Sequence, residues 1–400
     1  MLSSIAQVLS YSLVANIFGG ITSIIIIRMM SPDQFAAYTV VIAIISVLEG
    51  IIVSAFNRIF IVGYKRFDIG EEMGAFFAAQ LVVLIVLWLA IWPFKGGTPT
   101  LYVLALLLAL ALCATEFLRT AYQRVLRFNR FSQVLLVKSM FFLAMLGAIM
   151  LCGAHMQAWH AVLAQALAAL TVSLPLIIRR KMLNNFFHLN TALKTICSIL
   201  SGEYIYLFVY LFVLAFFSQI SVFMLNTLSD KQNLATYGSA FRYYGFLLIG
   251  LNSVKSVYVP VIQNALTGAE INKIFHKHRQ LILLSLPIFF FGCLISNWVI
   301  PLIDQGKYPD APVVFQVLSL SALVSFAFSP HITVLMKSER FLFLMILIVI
   351  GFSLNIIINY LFIPTYGALG AAYSTLIAYG FVNSGFFVYS RKIRLSYERM

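Results

Sequence analysis

Twelve runs of apolar residues, each about 20 residues long, fill this chain from one end to the other. A helix rises ~1.5 Å per residue, so each run is long enough to cross the ~30 Å hydrocarbon layer of a bilayer. A chain in lipid must satisfy its own backbone N–H and C=O groups, and a helix does so within each segment. The expected fold is therefore an all-α polytopic membrane protein with about 12 transmembrane helices. The runs lie at 5–28, 36–60, 74–94, 100–121, 132–153, 157–178, 203–225, 235–260, 281–303, 311–336, 341–363 and 368–390. Composition agrees, since 62% of the 400 residues are hydrophobic and 10% are charged, against roughly a quarter charged in soluble domains. The net charge of +14 would suggest nucleic acid in a soluble chain. Here the basic residues fall almost entirely between the runs.

The longest polar interruption, Arg179 to Lys194, falls near the middle of the chain and is basic. It reads as a cytoplasmic linker (179–202) joining a six-helix bundle at 1–178 to a second at 203–390, with a basic tail at 391–400. Of the 27 Lys and Arg residues, 20 fall on the side that carries both termini and four on the other (Arg28, Lys95, Lys231, Lys307). Lys138, Arg242 and Lys255 lie within runs. The positive-inside rule then places both termini in the cytoplasm.

The four cysteines lie in or at the edges of apolar runs without CxxC spacing, so neither a disulfide framework nor a zinc site is expected, and they read as core filler. The first run lacks a basic stretch before it and exceeds a leader's apolar core of ~7 to 15 residues, so it is kept as a spanning helix. No P-loop string or metal-spacing cluster appears. No cofactor and no metal are expected.

The halves also echo one another. Ser31-Pro32-Asp33-Gln34-Phe35-Ala36-Ala37-Tyr38 opens the second run and Ser229-Asp230-Lys231-Gln232-Asn233-Leu234-Ala235-Thr236-Tyr237 the eighth. Arg130-Phe131 before the fifth run matches Arg340-Phe341 before the eleventh. Both offsets are about half the chain, as expected for parallel six-helix repeats related by a pseudo-two-fold axis along the membrane normal. Transporters built from such repeats commonly hold substrate at their interface.

At Asn359-Tyr360-Leu361-Phe362-Ile363-Pro364-Thr365-Tyr366-Gly367-Ala368-Leu369-Gly370-Ala371-Ala372, proline stops one helix, Gly367 permits the reversal and the small residues give the next helix a close-packing face. This string resembles the polysaccharide-transporter branch of the multidrug, oligosaccharidyl-lipid and polysaccharide exporter superfamily, where the eleventh helix ends in such a turn. Arg28 to Tyr38 is similar to that family's first loop, with Phe35-Ala36 in place of Tyr-Gly. The resemblance implies flipping of a polyprenyl-pyrophosphate-linked oligosaccharide of O-antigen or capsular type across the bacterial inner membrane. Partners would be the lipid-linked substrate, membrane lipids and other polysaccharide-assembly membrane proteins. The murein-precursor branch, with two further C-terminal helices, is the less expected of the two. The matched strings are structural and transfer no substrate-site residue.

Candidate site residues come instead from burial cost. An ionisable side chain within a span costs ~2.5–3.5 kcal/mol on insertion scales and is usually turned toward a cavity or a partner. Glu49 sits near the middle of the second run and shares a helical face with Thr39, Ser46 and, toward its edge, Asn57. It is either a cavity residue or a neutral interhelical hydrogen-bonding group. Arg242 lies ~10 Å inside the outer end of the eighth run, beside Tyr243 and on the face of Ser239, Ser253 and Ser256. Its planar fork suits a pyrophosphate; the alternative is a pair with a carboxylate such as Glu49. Asn16, with Ser12, Gly19, Gly20 and Ser23, marks a packing seam or a cavity wall on the first run.

Lys255 and Lys138, near inner helix ends, fit snorkelling, and Glu116 and Arg119 fit a local pair. Pro330 is expected to kink the tenth run beside His331, which reads as a satisfied polar residue. The stretch Asn272 to Arg279 is expected on the anionic cytoplasmic leaflet. The competing readings are a small-molecule or drug antiporter of the same superfamily, which should favour acidic over basic cavity residues, and a membrane glycosyltransferase or polymerase. The short outer loops offer little to hold catalytic groups, so an enzyme is not the expectation.

Overall fold

The computed structural model of the protein describes residues 2–57, 73–91, 99–124, 127–152, 156–179, 189–200, 204–264 and 267–397. These form α1 (Leu2–Met29), α2 (Pro32–Ile51, continued by a π-turn Ile52–Asn57), α3 (Met73–Ile91), α4 (Pro99–Arg124), α5 (Phe128–Leu151), α6 (Ala158–Arg179) and α7 (Leu189–Leu200). After these come α8 (Tyr204–Phe217), α9 (Ile220–Leu228), α10 (Lys231–Asn264), α11 (Gly268–Asp304), α12 (Ala311–Ala327), α13 (Ser329–Lys337) and α14 (Phe341–Tyr397). Over its described residues, each of the twelve expected spans falls on these helices. Most of the polar mid-chain stretch, 180–188, lies outside the described residues, as do Arg58, Lys65, Arg66 and Lys95.

Among the described residues six helices are long and apolar enough to cross a membrane, or eight if each of two bent pairs counts as one span. One of the six is α14, whose 57 residues contain two expected spans on either side of Gly367. Another is α11, of whose apolar window only 6% is buried. Its outward Leu283, Ile288, Phe291, Trp298 and Leu302 are exposed. In water such a face would drive association; against acyl chains it needs no protein partner.

Contacts divide the chain into two compact units, Met1–Gln219 and Ile220–Met400. In the first, Phe117 of α4 stacks on Phe77 and Phe76 of α3 at 5.0 and 6.3 Å. Here too α8 packs, with Phe208 edge-on to Phe56 at 5.9 Å and Ala215 so close to Gly50 that a Cβ there would meet it at 3.2 Å. The strongly amphipathic α7 was not among the expected helices. Its buried Ala192 packs on Ala78 and Ala79 of α3, while Leu193 and Lys194 stay exposed. Of the cysteines only Cys113 is buried; Cys152 and Cys197 are exposed, because one ends a helix and the other lies on the outer face of α7.

The sequence echoes prove to be matching caps. Ser31 Oγ accepts the Gln34 N–H at 3.4 Å to start α2, and Asp230 Oδ1 accepts the Asn233 N–H at 2.6 Å to start α10. Both are N-caps that satisfy an orphan first-turn donor. The amide side chains three residues on then act alike. Gln34 Oε1 accepts the Ala158 N–H at 3.0 Å at the head of α6, and Asn233 Oδ1 accepts the Ala368 N–H at 3.2 Å where α14 restarts after its turn. Each unit thus ties its last long helix to the head of its second helix through one side-chain amide.

That turn is at Gly367, with φ 51° and ψ −127°, a region closed to L side chains. A Cβ there would also overlap the Asn233 amide. Ala371 and Ala372 are fully buried beyond it. The break in the tenth span lies at Phe328, a 43° bend between α12 and α13. Pro330 sits in the first turn of α13, where a helix has no intrahelical partner for an N–H. Within α13 the missing N–H of proline breaks no bond, but it denies the Phe326 carbonyl of α12 its i+4 donor, and His278 Nε2 lies 3.0 Å from that oxygen. His331 is likewise satisfied, its Nδ1 2.6 Å from Ser390 Oγ.

Candidate functional site

Each unit carries its own polar constellation. In the first unit, Ser46 and Glu49 are half-buried on α2, and Glu49 lines a water-sized cavity with Ile45, Ile52, Ala109 and Cys113. Glu49 lies within electrostatic reach of Glu116, Lys138 and Arg119. Glu116 and Arg119 form the expected local pair, Arg119 Nη1 donating to both carboxylate oxygens at 2.6 Å. The guanidinium also lies over the Phe131 ring, 4.4 Å from its centroid, a favourable cation–π geometry. Lys138, expected only to snorkel, and the local pair Glu116 and Arg119 thus all lie within electrostatic reach of Glu49.

Asn57 meets this group through a residue that the sequence did not single out. The π-turn carries Asn57 into the core, where it is 2% exposed. Gln80 of α3, also buried, donates from Nε2 to Asn57 Oδ1 at 2.6 Å and accepts from Cys113 Sγ at 3.7 Å. The chain Asn57–Gln80–Cys113 ends on the wall of the Glu49 cavity. Asn57 Nδ2 has no hydrogen-bond partner among the described residues, and an unsatisfied buried amide of this kind is costly unless water or a ligand meets it. Gln80 was legible only as an amide inside an apolar run. Asn16 is half-buried on α1.

In the second unit, Arg242 and Tyr243 are half-buried on α10. The residue that organises them is Asp304, at the last turn of α11 and 0% exposed. Ser239 Oγ donates to its Oδ2 at 2.6 Å, and the Tyr243 phenol donates to its Oδ1. Past Asp304 the chain turns through left-handed Gln305 and Gly306, bringing back Lys307 and the fully buried Tyr308. Burial, then the Asp304 carboxylate, push the Tyr308 phenol above its ordinary value while Arg242 pulls it down. Burial pushes the Lys307 ammonium down while Asp304 pulls it up. One carboxylate, two cations and two phenols thus act on one another at one end of the unit. Asp304 is thus held by Ser239 and Tyr243, the residues one helical turn apart on α10 that bracket Arg242 in sequence. Lys255 lies on α10, but its side chain and those of Ser253 and Ser256 are outside the described residues.

A second buried polar group joins α9, α10 and α14. Ser221 Oγ lies 3.1 Å from Thr375 Oγ1 and accepts from Asn359 Nδ2 at 3.3 Å. Asn359 also donates to Asn355, and the Tyr237 phenol adjoins Thr375 and Ser221. All five are buried. The signal for it was present, since Asn355 and Asn359 are four apart on one face of an apolar helix. Among the described residues no group of three His, Cys, Asp or Glu side chains is placed to hold a metal.

No family model and no curated protein matches the chain by sequence. Solved structures do match by shape. A multidrug resistance MATE family transporter of the MOP superfamily, in its inward-facing conformation, aligns with a TM-score of 0.67 at 15% identity over 96% of each chain. The lipid II flippase MurJ, inward closed, aligns with a TM-score of 0.71 at 15% identity over 98% of this chain and 90% of its own. The MATE transporter VcmN of Vibrio cholerae, in its bent form, aligns with a TM-score of 0.56 at 14% identity over 98% of each chain. The chain has the all-helical fold of the MOP-superfamily transporters, and its apolar helices make it a multi-pass membrane protein.

Proposed function

We propose that the protein is a flippase that moves a polyprenyl-pyrophosphate-linked oligosaccharide repeat unit, of O-antigen or capsular type, from the cytoplasmic to the periplasmic leaflet of the bacterial inner membrane by alternating access. Its two six-helix bundles flank a cytoplasmic linker at 179–202, and both termini are cytoplasmic. The supporting observation is the half-buried Arg242, ~10 Å inside the outer end of its span, on the turn of α10 whose Ser239 and Tyr243 bond Asp304. A guanidinium held in a less polar site keeps its charge and offers two parallel hydrogen bonds to a pyrophosphate. The likeness to a lipid II flippase supports a lipid-linked substrate. Glu49, Ser46, Asn57 and Asn16 would line the path in the first unit, with Glu49 as the group that couples or contacts the load.

The rival reading, antiport of a small molecule or drug, draws support from the likeness to MATE transporters and from the acidic Glu49 cavity. Deleting the gene and locating polyprenyl-linked oligosaccharide on each membrane face separates the two. Accumulation on the inner face supports flipping, single repeat units accumulating on the outer face indicate a polymerase, and an unchanged distribution with new drug sensitivity indicates antiport. Within the flippase reading, Arg242→Lys restores the charge but not the fork. It should retain partial flipping per inserted molecule, and Arg242→Ala very little.

A further inference from the structure

Asp304 stands beside the cation assigned to the substrate, and the transport reading leaves it without a role. It ends α11, where the last carbonyls turn their negative ends toward it and disfavour a carboxylate, and it is fully buried. A carboxylate in such a place persists only with strong partners. Two are neutral donors, Ser239 and Tyr243 of α10, each on a different oxygen. They lie one turn apart and bracket Arg242 in sequence, so the two bonds fix the turn that carries Arg242 against the end of α11. Lys307, three residues on, lies within electrostatic reach of Asp304, and both Asp304 and Arg242 act on the Tyr308 phenol, so the guanidinium and the carboxylate share one neighbourhood.

Building on the flippase reading, we propose that Asp304 is the resident counter-ion of Arg242, a positioning residue that keeps the guanidinium oriented and yields it to the substrate's pyrophosphate. A pyrophosphate carries more charge and more acceptor oxygens than one carboxylate, so it takes the fork when it arrives. Ser239 and Tyr243 stabilise the released carboxylate meanwhile. Once the anion departs, Asp304 recovers its partner. The carboxylate therefore weakens anion binding and speeds release, which a carrier needs if its load is not to stay bound.

The test uses the full chain in nanodiscs, with inorganic pyrophosphate and polyprenyl pyrophosphate as separate probes. Asp304→Asn keeps the shape and the acceptor for one α10 donor while removing the charge. It should bind both probes about tenfold more tightly, the scale of one charge-pair coupling, while flipping per inserted molecule falls. Asp304→Glu, which keeps the charge, should stay within about threefold of the wild type on the same scale. In an Arg242→Ala background the Asp304→Asn gain should vanish. A purely structural role does not tighten binding, so equal or weaker binding by folded Asp304→Asn overturns the inference. The flippase reading survives that result if Arg242→Ala still lowers affinity, and both fall if it does not. A gain for inorganic pyrophosphate alone also overturns the inference, because the anion would then not be that of the lipid.

Discussion

Replacing Gly367 by alanine tests the turn that separates the last two spans. Gly367 holds φ 51° and ψ −127°, and forcing an L residue into such a region costs ~1–3 kcal/mol. The new methyl would also overlap the Asn233 amide, displacing the oxygen that accepts the Ala368 N–H. Losing that bond adds ~1 kcal/mol, for a total of about 2–4 kcal/mol. The assay is thermal unfolding of the detergent-purified protein, followed by abundance in membranes at equal expression. Gly292→Ala and Gly380→Ala serve as controls, since a Cβ at either meets nothing within 4 Å. Asn233→Ala isolates the hydrogen bond, and Gln34→Ala should match it, because Gln34 caps the head of α6 in the same way. Combining Gly367→Ala with Asn233→Ala relieves the overlap and leaves the backbone strain, so the pair should remain less stable than Asn233→Ala alone. If Gly367→Ala unfolds with the wild type, or no earlier than the glycine controls, the reasoning from backbone strain is refuted.

Arg119→Ala leaves the mostly buried Glu116 carboxylate without its cation and should cost about 3 kcal/mol, whereas Arg119→Gln with Glu116→Gln should recover most of that loss in the same unfolding assay. Glu49→Gln should lower transport severalfold, an order-of-magnitude expectation for an intramembrane ionisable residue, with normal abundance; full activity across external pH would reduce Glu49 to packing. Cysteines placed at the exposed Lys231 and Lys277 should respectively react with and be shielded from an impermeant thiol reagent added outside intact cells. Labelling at Lys277 would contradict the assigned orientation.

Sequence alone settled what depends on neighbours within about one helical turn. Apolar run length marked the twelve spans, Ser31 and Asp230 opened α2 and α10 by capping the N–H three residues on, and Gly367 and Pro330 placed two breaks to within a few residues. Tertiary structure decided which side chains meet. Gln80 reaches Asn57 across 23 residues, and Ser239 reaches Asp304 across 65, so neither pair has a local signature. In a soluble helix one polar face fixes the rotation about its axis. Helices that are apolar all round, as most of these are, carry no such mark. Their rotation, and with it the meeting of Ser239 and Tyr243 with Asp304 and of Gln80 with Cys113 on the wall of the Glu49 cavity, is set only when small residues and buried hydrogen bonds lock neighbouring helices together.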